Sequence, residues 1–198
     1  MTRLLLVRHG ETEWNARRRL QGQSDIPLSA EGRRQVEALA TIVRMHRPDH
    51  AVCSDLTRAR ATTEMLGYPQ ARVDARWREA DLGAWTGRAI AELVAEDGLQ
   101  YLAWREGRLT PPAGESWDAL CGRVTEALRS LLVAGSCQLV VTHGGPIRAV
   151  CAVLLGFPPR RLLPVAPASV TIIDVRDGEA RLRAFNLTPA ANGEEPLD

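Results

Sequence analysis

The chain reads as an α/β domain: a three-layer sandwich in which a mixed, mainly parallel sheet is flanked by helices. Three observations predict it. Short apolar runs of strand length, Leu4–Val7, Ala51–Cys53 and Gln138–Thr142, alternate with longer segments of helical periodicity. Leu4–Val7, Ala51–Cys53 and the interior of the third run, Leu139–Val141, are apolar instead of alternating with polar residues, as expected of strands buried on both faces. Two further segments, 169–176 and 180–186, flank Asp177-Gly178, a two-residue hairpin signal that puts an antiparallel pair at one end of the sheet.

The elements follow in order. Residues 4–7 form the first strand, and the polar, glycine-containing stretch 14–28 reads as a long loop. Ser29-Ala30-Glu31-Gly32 opens a helix to about Arg47, with Val36, Leu39, Ala40 and Val43 on one face; Pro48 and Asp49 end it. Ala51–Cys53 is a short strand, and Asp55 or Thr57 caps a helix over about 57–67, closed by Gly67 and Pro69. Residues 71–87 are mixed, with Arg76-Trp77-Arg78-Glu79 leading into a loop that carries Gly83 and Gly87. Helical pattern returns at 88–96 and 99–106, and Pro111–Gly114 is a loop. Ser116 caps a long helix to about Val133, and Gly144-Gly145-Pro146 opens another to about Leu155. Residues 1–188 are expected as a single domain, and 189–198, polar with Pro and Gly, as a disordered tail.

Composition narrows the function. At 198 residues, 45% hydrophobic and 25% charged, the chain can bury a full core. A net charge of +1 gives no bulk electrostatic case for nucleic acid or a membrane surface. No apolar run approaches a membrane span, and the N-terminus enters a strand without a long apolar h-region, so no signal peptide and a cytoplasmic location are expected. Cys53, Cys121, Cys137 and Cys151 lack metal-ligand spacing and read as small core residues of a reducing compartment. All 25 basic residues are Arg. Schiff-base lysine chemistry and the P-loop lysine are therefore excluded, and any oxyanion clamp must be built from Arg, His and backbone N–H groups.

Such groups recur at the strand ends. Arg8 and His9 follow the first strand. Ser54 and, one helical turn on, Arg58 follow the second. His143 follows the strand 138–142, with Gly144-Gly145 opening a helix behind it. Open α/β sheets place their chemistry at these carboxyl ends, and a glycine-flanked helix start offers free N–H groups and a positive dipole end. Taken singly, His143 also fits a satisfied core histidine and Arg58 a solvated helix cation; their joint placement favours a phosphate pocket without metal. His46 and His50 flank a helix terminus and take no role. Arg17-Arg18-Arg19 fits a solvated charge run better than an anion-steering one, and Trp14, Trp85, Trp104 and Trp117 fit packing better than ligand stacking. There is no Cys-x-x-Cys, no Gly-x-Ser-x-Gly elbow and no dinucleotide glycine fingerprint. Without a metal, phosphoryl transfer can proceed through an imidazole nucleophile: His9 would attack phosphorus, water would discharge the phosphohistidine, and a nearby carboxyl group would supply the leaving alkoxide with its proton.

Arg8-His9-Gly10-Glu11-Thr12, Asn15, Ser54 with Arg58-Ala59 and Thr62, Glu79 ahead of Leu82-Gly83-x-Trp85-x-Gly87, Gly114-Glu115-Ser116 and His143-Gly144-Gly145 resemble the histidine phosphatase superfamily, the phosphoglycerate mutase-like group. The resemblance spans roughly residues 3–186. It implies His9 as the phosphorylated nucleophile and Arg8, Arg58 and His143 as ligands of the phosphoryl group. It implies Glu79 as general acid and then base, Asn15 and the Gly144 N–H at the pocket border, and Gln21 where relatives contact substrate or phosphate. A lid over about residues 84–115, no metal and no cofactor are also implied. Asp55, Thr63 and Thr86 depart from the commoner pattern and weaken transfer of any one subfamily's substrate. The mutases of the group carry a long insertion between the acid and the second histidine. Here Glu79 to His143 is short, which favours water as acceptor. The expected function is hydrolysis of a small phosphorylated metabolite: a sugar phosphate, a phosphoglycerate derivative such as glucosyl-3-phosphoglycerate, or α-ribazole phosphate. The alternatives are a phosphoglycerate mutase and a non-enzymatic phospholigand-binding module; the presence of both His9 and Glu79 speaks against the latter. The hairpin at 170–186 is either an exposed edge open to a homodimer or an edge covered by a helix.

Overall fold

The computed structural model describes residues 1–132 and 135–189. Its strands are β1 (Thr2–Arg8), β2 (His50–Cys53), β3 (Arg72–Val73), β4 (Cys137–Thr142), β5 (Val170–Arg176) and β6 (Glu179–Leu187). They form one sheet in the order β3-β2-β4-β1-β5-β6. The first four of that order are parallel; β5 runs antiparallel to β1, and β6 antiparallel to β5. The expected α/β class, mainly parallel sheet and terminal hairpin are all present. Asp177 and Gly178 both have positive φ, 51° and 83°, as the tight hairpin turn requires.

The helices are α1 (Glu13–Ala16), α2 (Ala30–His46), α3 (Thr57–Met65), α4 (Ile90–Arg105), α5 (Trp117–Arg129) and α6 (Gly144–Leu155). The unbroken apolar run of β1 has a simple cause. Successive side chains point to opposite faces. Leu4 and Leu6 pack with Leu120 and Val124 of α5 and Ile147 and Val150 of α6. Leu5 and Val7 pack with Val36, Leu39 and Val43 of α2 and Ala59 of α3. A third, smaller cluster, Leu20, Leu82, Trp85 and Leu93 with Tyr101 and Trp104 against it, lies under α4.

Several elements differ from expectation. The 14–28 segment holds α1, which Thr12 and Asn15 close with a reciprocal capping box. Neither Asp55 nor Thr57 caps α3: Leu56 occupies the cap, and the Asp25 carboxylate accepts from Thr57 N at 2.7 Å and Thr57 Oγ1 at 2.6 Å. The two helical stretches at 88–106 are one element broken at Asp97 (φ −160°, ψ 89°), where Gly98 follows. The α5 helix ends at Arg129, earlier than expected; Val133 and the tail from residue 190 lie outside the described residues. Cys53 and Cys151 are buried, but Cys121 and Cys137 are only half-buried. Ser29 and Ser116 cap α2 and α5 as expected, accepting from Gly32 N at 2.9 Å and Ala119 N at 3.2 Å. No helix among the described residues is long and apolar enough to cross a membrane.

Candidate active site

Register brings the strand-end residues together. Arg8 pairs with Thr142, and both Val7 and Cys53 pair with Val141, so β1, β2 and β4 end at one level. His9, Ser54 and His143, each one residue further along the chain, are buried there side by side. Main-chain bonds fix the exits from the strands: His9 N donates to Thr142 O at 3.0 Å and Ser54 N to Val141 O at 3.0 Å. Thr62 of α3 accepts from Gly10 N at 3.2 Å and donates to Arg58 O at 2.8 Å. The loop after β1 also sits directly on α2. A Cβ on Gly10 would lie 2.5 Å from Gly32 O, and one on Gly32 would lie 2.0 Å from Glu11 O, so both positions require glycine for close backbone approach.

Hydrogen bonds assign the imidazole protons. His9 Nδ1 lies 2.7 Å from Gly10 O; a carbonyl only accepts, so Nδ1–H donates and Nε2 keeps its lone pair. Arg58 Nε–H points at that lone pair, 3.2 Å from His9 Nε2, and is shared with His143 Nδ1 at 3.3 Å. His143 Nε2–H therefore donates to Ser54 Oγ at 2.9 Å. Both rings are neutral in this arrangement. The electrostatics agree: burial first, then the Arg58 charge, holds both imidazoles well below the ordinary histidine range. Burial also pushes the Arg58 guanidinium down to about 10, which leaves it a cation at neutral pH. Its remaining N–H groups hold Ser24 O at 2.6 Å and Gly22 O at 2.8 Å. Arg8 donates through Nη1 to Val165 O, while its Nε is buried with no partner among the described residues.

Glu79 is set by the opposite wall. Its Oε1 accepts from Ala80 N at 2.8 Å and Gly145 N at 3.0 Å; among the described residues Oε2 accepts only from Gly145 N, at 3.2 Å. The glycine N–H at the carboxylate is that of Gly145, while Gly144 lines the cavity beside it. A Cβ on Gly145 would fall 2.1 Å from Glu79 Oε1. Two further groups fix the segment before Glu79. Thr142 Oγ1 donates to Trp77 O at 2.6 Å, with the Trp77 ring fully buried in the core. Arg123 of α5 donates to Arg76 O and Arg78 O at 2.8 Å and to Glu79 O at 3.0 Å, and pairs with Glu115 at 2.7 Å.

These groups open into a cavity of about 400 Å³ lined by Arg8, His9, Asn15, Gln21, Arg58, Glu79 and Gly144, among others. All expected site residues but His143 line it, and His143 stands behind His9 with ring centroids 5.1 Å apart. Gln21 is buried with Oε1 unpartnered among the described residues. Arg18 and Arg19 reach the cavity, whereas Arg17 faces out toward Glu13 at 3.8 Å. Sequence reasoning missed Arg105, Arg148 and Tyr101, and it treated Trp104 and Trp117 only as packing; all five line the cavity. The expected lid does contribute its far wall, through Ile90, Tyr101, Trp104 and Arg105 of α4. With six lining arginines against Glu11 and Glu79, and with the N-terminus of α6 at its edge, the cavity is built to attract an anion.

Fold and site together define an α/β protein with two histidines and two arginines gathered at the strand ends. The family model of the histidine phosphatase superfamily (branch 1) matches residues 4–188, and the chain belongs to that superfamily. It is 36% identical over 194 residues to the probable phosphoglycerate mutase GpmB of Salmonella paratyphi C, covering 90% of this chain and 87% of that one. It is 38% identical over 192 residues to the probable phosphoglycerate mutase GpmB of Citrobacter koseri, covering 89% and 86%. Among solved structures it resembles the mycobacterial glucosyl-3-phosphoglycerate phosphatase in complex with VO3 (TM-score 0.87, 35% identity, covering 94% of this chain and 99% of that one). It also resembles YhfR of Bacillus stearothermophilus (TM-score 0.83, 29% identity, covering 94% and 97%).

Proposed function

We propose that the chain is a phosphomonoester hydrolase that works through a phosphohistidine at His9 on a small phosphorylated metabolite, without a metal ion. The observation that carries this reading is the Nε2 lone pair of His9, held toward the Arg58 N–H by the bond from Nδ1 to Gly10 O. A neutral, oriented imidazole is a nucleophile ready at neutral pH. His9 Nε2 attacks phosphorus, and the ester oxygen leaves with a proton from Glu79. Of the two Glu79 oxygens, Oε2 accepts fewer backbone bonds and is the one free to carry that proton. Water then attacks the phosphohistidine and returns a proton to Glu79, releasing phosphate and neutral His9. Once Nε2 is phosphorylated it no longer accepts, so the Arg58 Nε–H passes to a phosphoryl oxygen. Arg8, which lines the same cavity, brings its guanidinium charge to the same group. Monoester hydrolysis asks for on the order of 20 kcal/mol of barrier lowering, and these fixed cations and N–H groups supply the electrostatic part.

Water is the preferred acceptor because the chain between Glu79 and His143 is short, its described residues holding a 3-10 turn at Gly83–Trp85, α4, α5, β4 and their connections. The similarity to proteins named probable phosphoglycerate mutase keeps a second reading, phosphoryl exchange between 2- and 3-phosphoglycerate primed by a bisphosphate. Phosphate release from a panel of phosphomonoesters in EDTA, for wild type and His9→Ala, separates them. Release by wild type and none by His9→Ala is the expected result. No release from any ester, with primed interconversion of the phosphoglycerates, would replace hydrolase by mutase.

A further inference from the structure

Glu79 sits where the chain is neither helix nor strand. Two 3-10 turns, Ala75–Trp77 and Gly83–Trp85, flank residues 78–82. No regular element supplies hydrogen-bond partners there, so the polar backbone must find them elsewhere. It finds them behind the acid. The carbonyl oxygens of Arg76, Arg78 and Glu79 all accept from Arg123 of α5, at 2.8, 2.8 and 3.0 Å. Gln23 Nε2 also donates to Glu79 O, at 3.2 Å. Asp81 O accepts from Glu115 N at 2.7 Å. The Arg123 guanidinium is itself fixed by Glu115, with Nε on Oε1 and Nη2 on Oε2, both at 2.7 Å. Three bonds to carbonyls and two to a carboxylate use all five donors of the fork. Arginines at the surface of a helix behave differently: Arg34 and Arg129 each reach a carboxylate one turn away, Glu31 and Glu126. Arg123 instead joins α5, the loop ahead of it and the acid's own segment.

We propose that Arg123, oriented by Glu115, is the positioning residue of the general acid: it holds the backbone of Glu79 so that the carboxyl group meets the leaving oxygen. The inference deepens the hydrolase reading and rests on it for the role of Glu79. The bonds of the carboxylate itself do not fix its place. Of its two donors, Ala80 N moves with the same segment, and only Gly145 N belongs to another element. A displacement of about 1 Å at a reacting group can cost on the order of a hundredfold in rate. Arg123 is not among the residues that line the cavity, so it acts through Glu79 and not on the substrate.

The test uses the leaving group. Phenyl phosphate expels a basic phenoxide and gains from a proton; 2,4-dinitrophenyl phosphate expels a weakly basic one and gains little. The quantity read is the ratio of kcat/KM for the phenyl ester to that for the dinitrophenyl ester, which reports transfer to His9 and not the later attack of water. Glu79→Gln lowers this ratio and sets the size of a lost acid. Arg123→Gln should lower it by about tenfold or more. Arg123→Lys should lower it too, because an ammonium keeps the charge but cannot span three carbonyls and a carboxylate. Glu115→Gln should move it in the same direction, and decides the matter if the Arg123 variants do not fold. A role in folding alone would lower the melting temperature and leave the ratio at its wild-type value. An unchanged ratio, or full restoration by lysine, would overturn the positioning role. A ratio unmoved by Glu79→Gln would remove the acid itself and this inference with it. Where wild type fails on either ester, crystal structures decide instead. A Glu79 carboxylate displaced from Gly145 N in Arg123→Lys supports the role, and one left at the 3.0 Å of wild type overturns it. Failure on both esters sinks the hydrolase reading and leaves that structural comparison standing.

Discussion

At the scale of single residues the site is a proton-accounting problem with one solution. The shared Arg58 Nε–H needs a lone pair on both His9 and His143, so the folded chain keeps both imidazoles neutral. The unfolded chain does not. Below the ordinary histidine value of about 6.5 it takes up protons that the folded chain refuses. The histidine contribution to stability is therefore intact above about pH 6.5 and declines as pH falls, by up to about 1.4 kcal/mol per pH unit for each ring. Urea midpoints between about pH 7.5 and 5 should show this slope, and His143→Gln should remove its share of it. A flat profile would mean the rings are not held neutral. The paired carboxylates Asp55, Asp74 and Asp174 have lowered pKa values and enter only below about pH 4. His9, Arg8 and His143 were legible in the sequence because each interrupts a buried apolar run. Arg105 and Arg148 were not, because at helix spacing a cation reads as solvent-facing, and only tertiary packing turns these two inward.

At the scale of elements, glycines control how closely the pieces meet. The 2.1 Å approach of a Gly145 Cβ to Glu79 Oε1 is to the end of a side chain that can rotate away. Gly145→Ala should therefore displace the carboxylate at little cost to folding: turnover should fall by about tenfold or more while the melting temperature stays near wild type. Gly32→Ala is the opposite case. Its Cβ would meet the Glu11 backbone at 2.0 Å, which cannot rotate, so denaturant unfolding should show a loss of at least about 2 kcal/mol. Equal stability losses for the two variants would contradict this division. Caps supplied from nearby in sequence, Ser29 and Ser116, were readable from residue type and position. The cap of α3 was not, because its acceptor is Asp25, over thirty residues upstream and brought back by folding. The break in α4 was readable from Asp97-Gly98, a poor helix pair, but not that both halves continue as one lid.

At the scale of the whole molecule the strand alternation, the hairpin and the site at the strand ends were all legible, since each is a local pattern with a global meaning. The aromatic wall of the cavity was not, because Tyr101 carries no sequence signal and Trp104 and Trp117 read as packing. The architecture separates these parts. Arg8 and His9 continue a strand that is the common wall of two core layers, with Leu4 and Leu6 in one and Leu5 and Val7 in the other. The roof rests on its own small cluster around Leu82, Trp85 and Leu93. Native-state hydrogen exchange should resolve the two: amides of β1 and β4 should open only with global unfolding, and those of α4 at lower free energy. Equal protection across both would show a single cooperative unit. On the proposed function, the chemistry then belongs to the part expected to be most durable and the choice of substrate to the part expected to be least so. Mutation would rewrite which compound is admitted without putting at risk the machinery that acts on it.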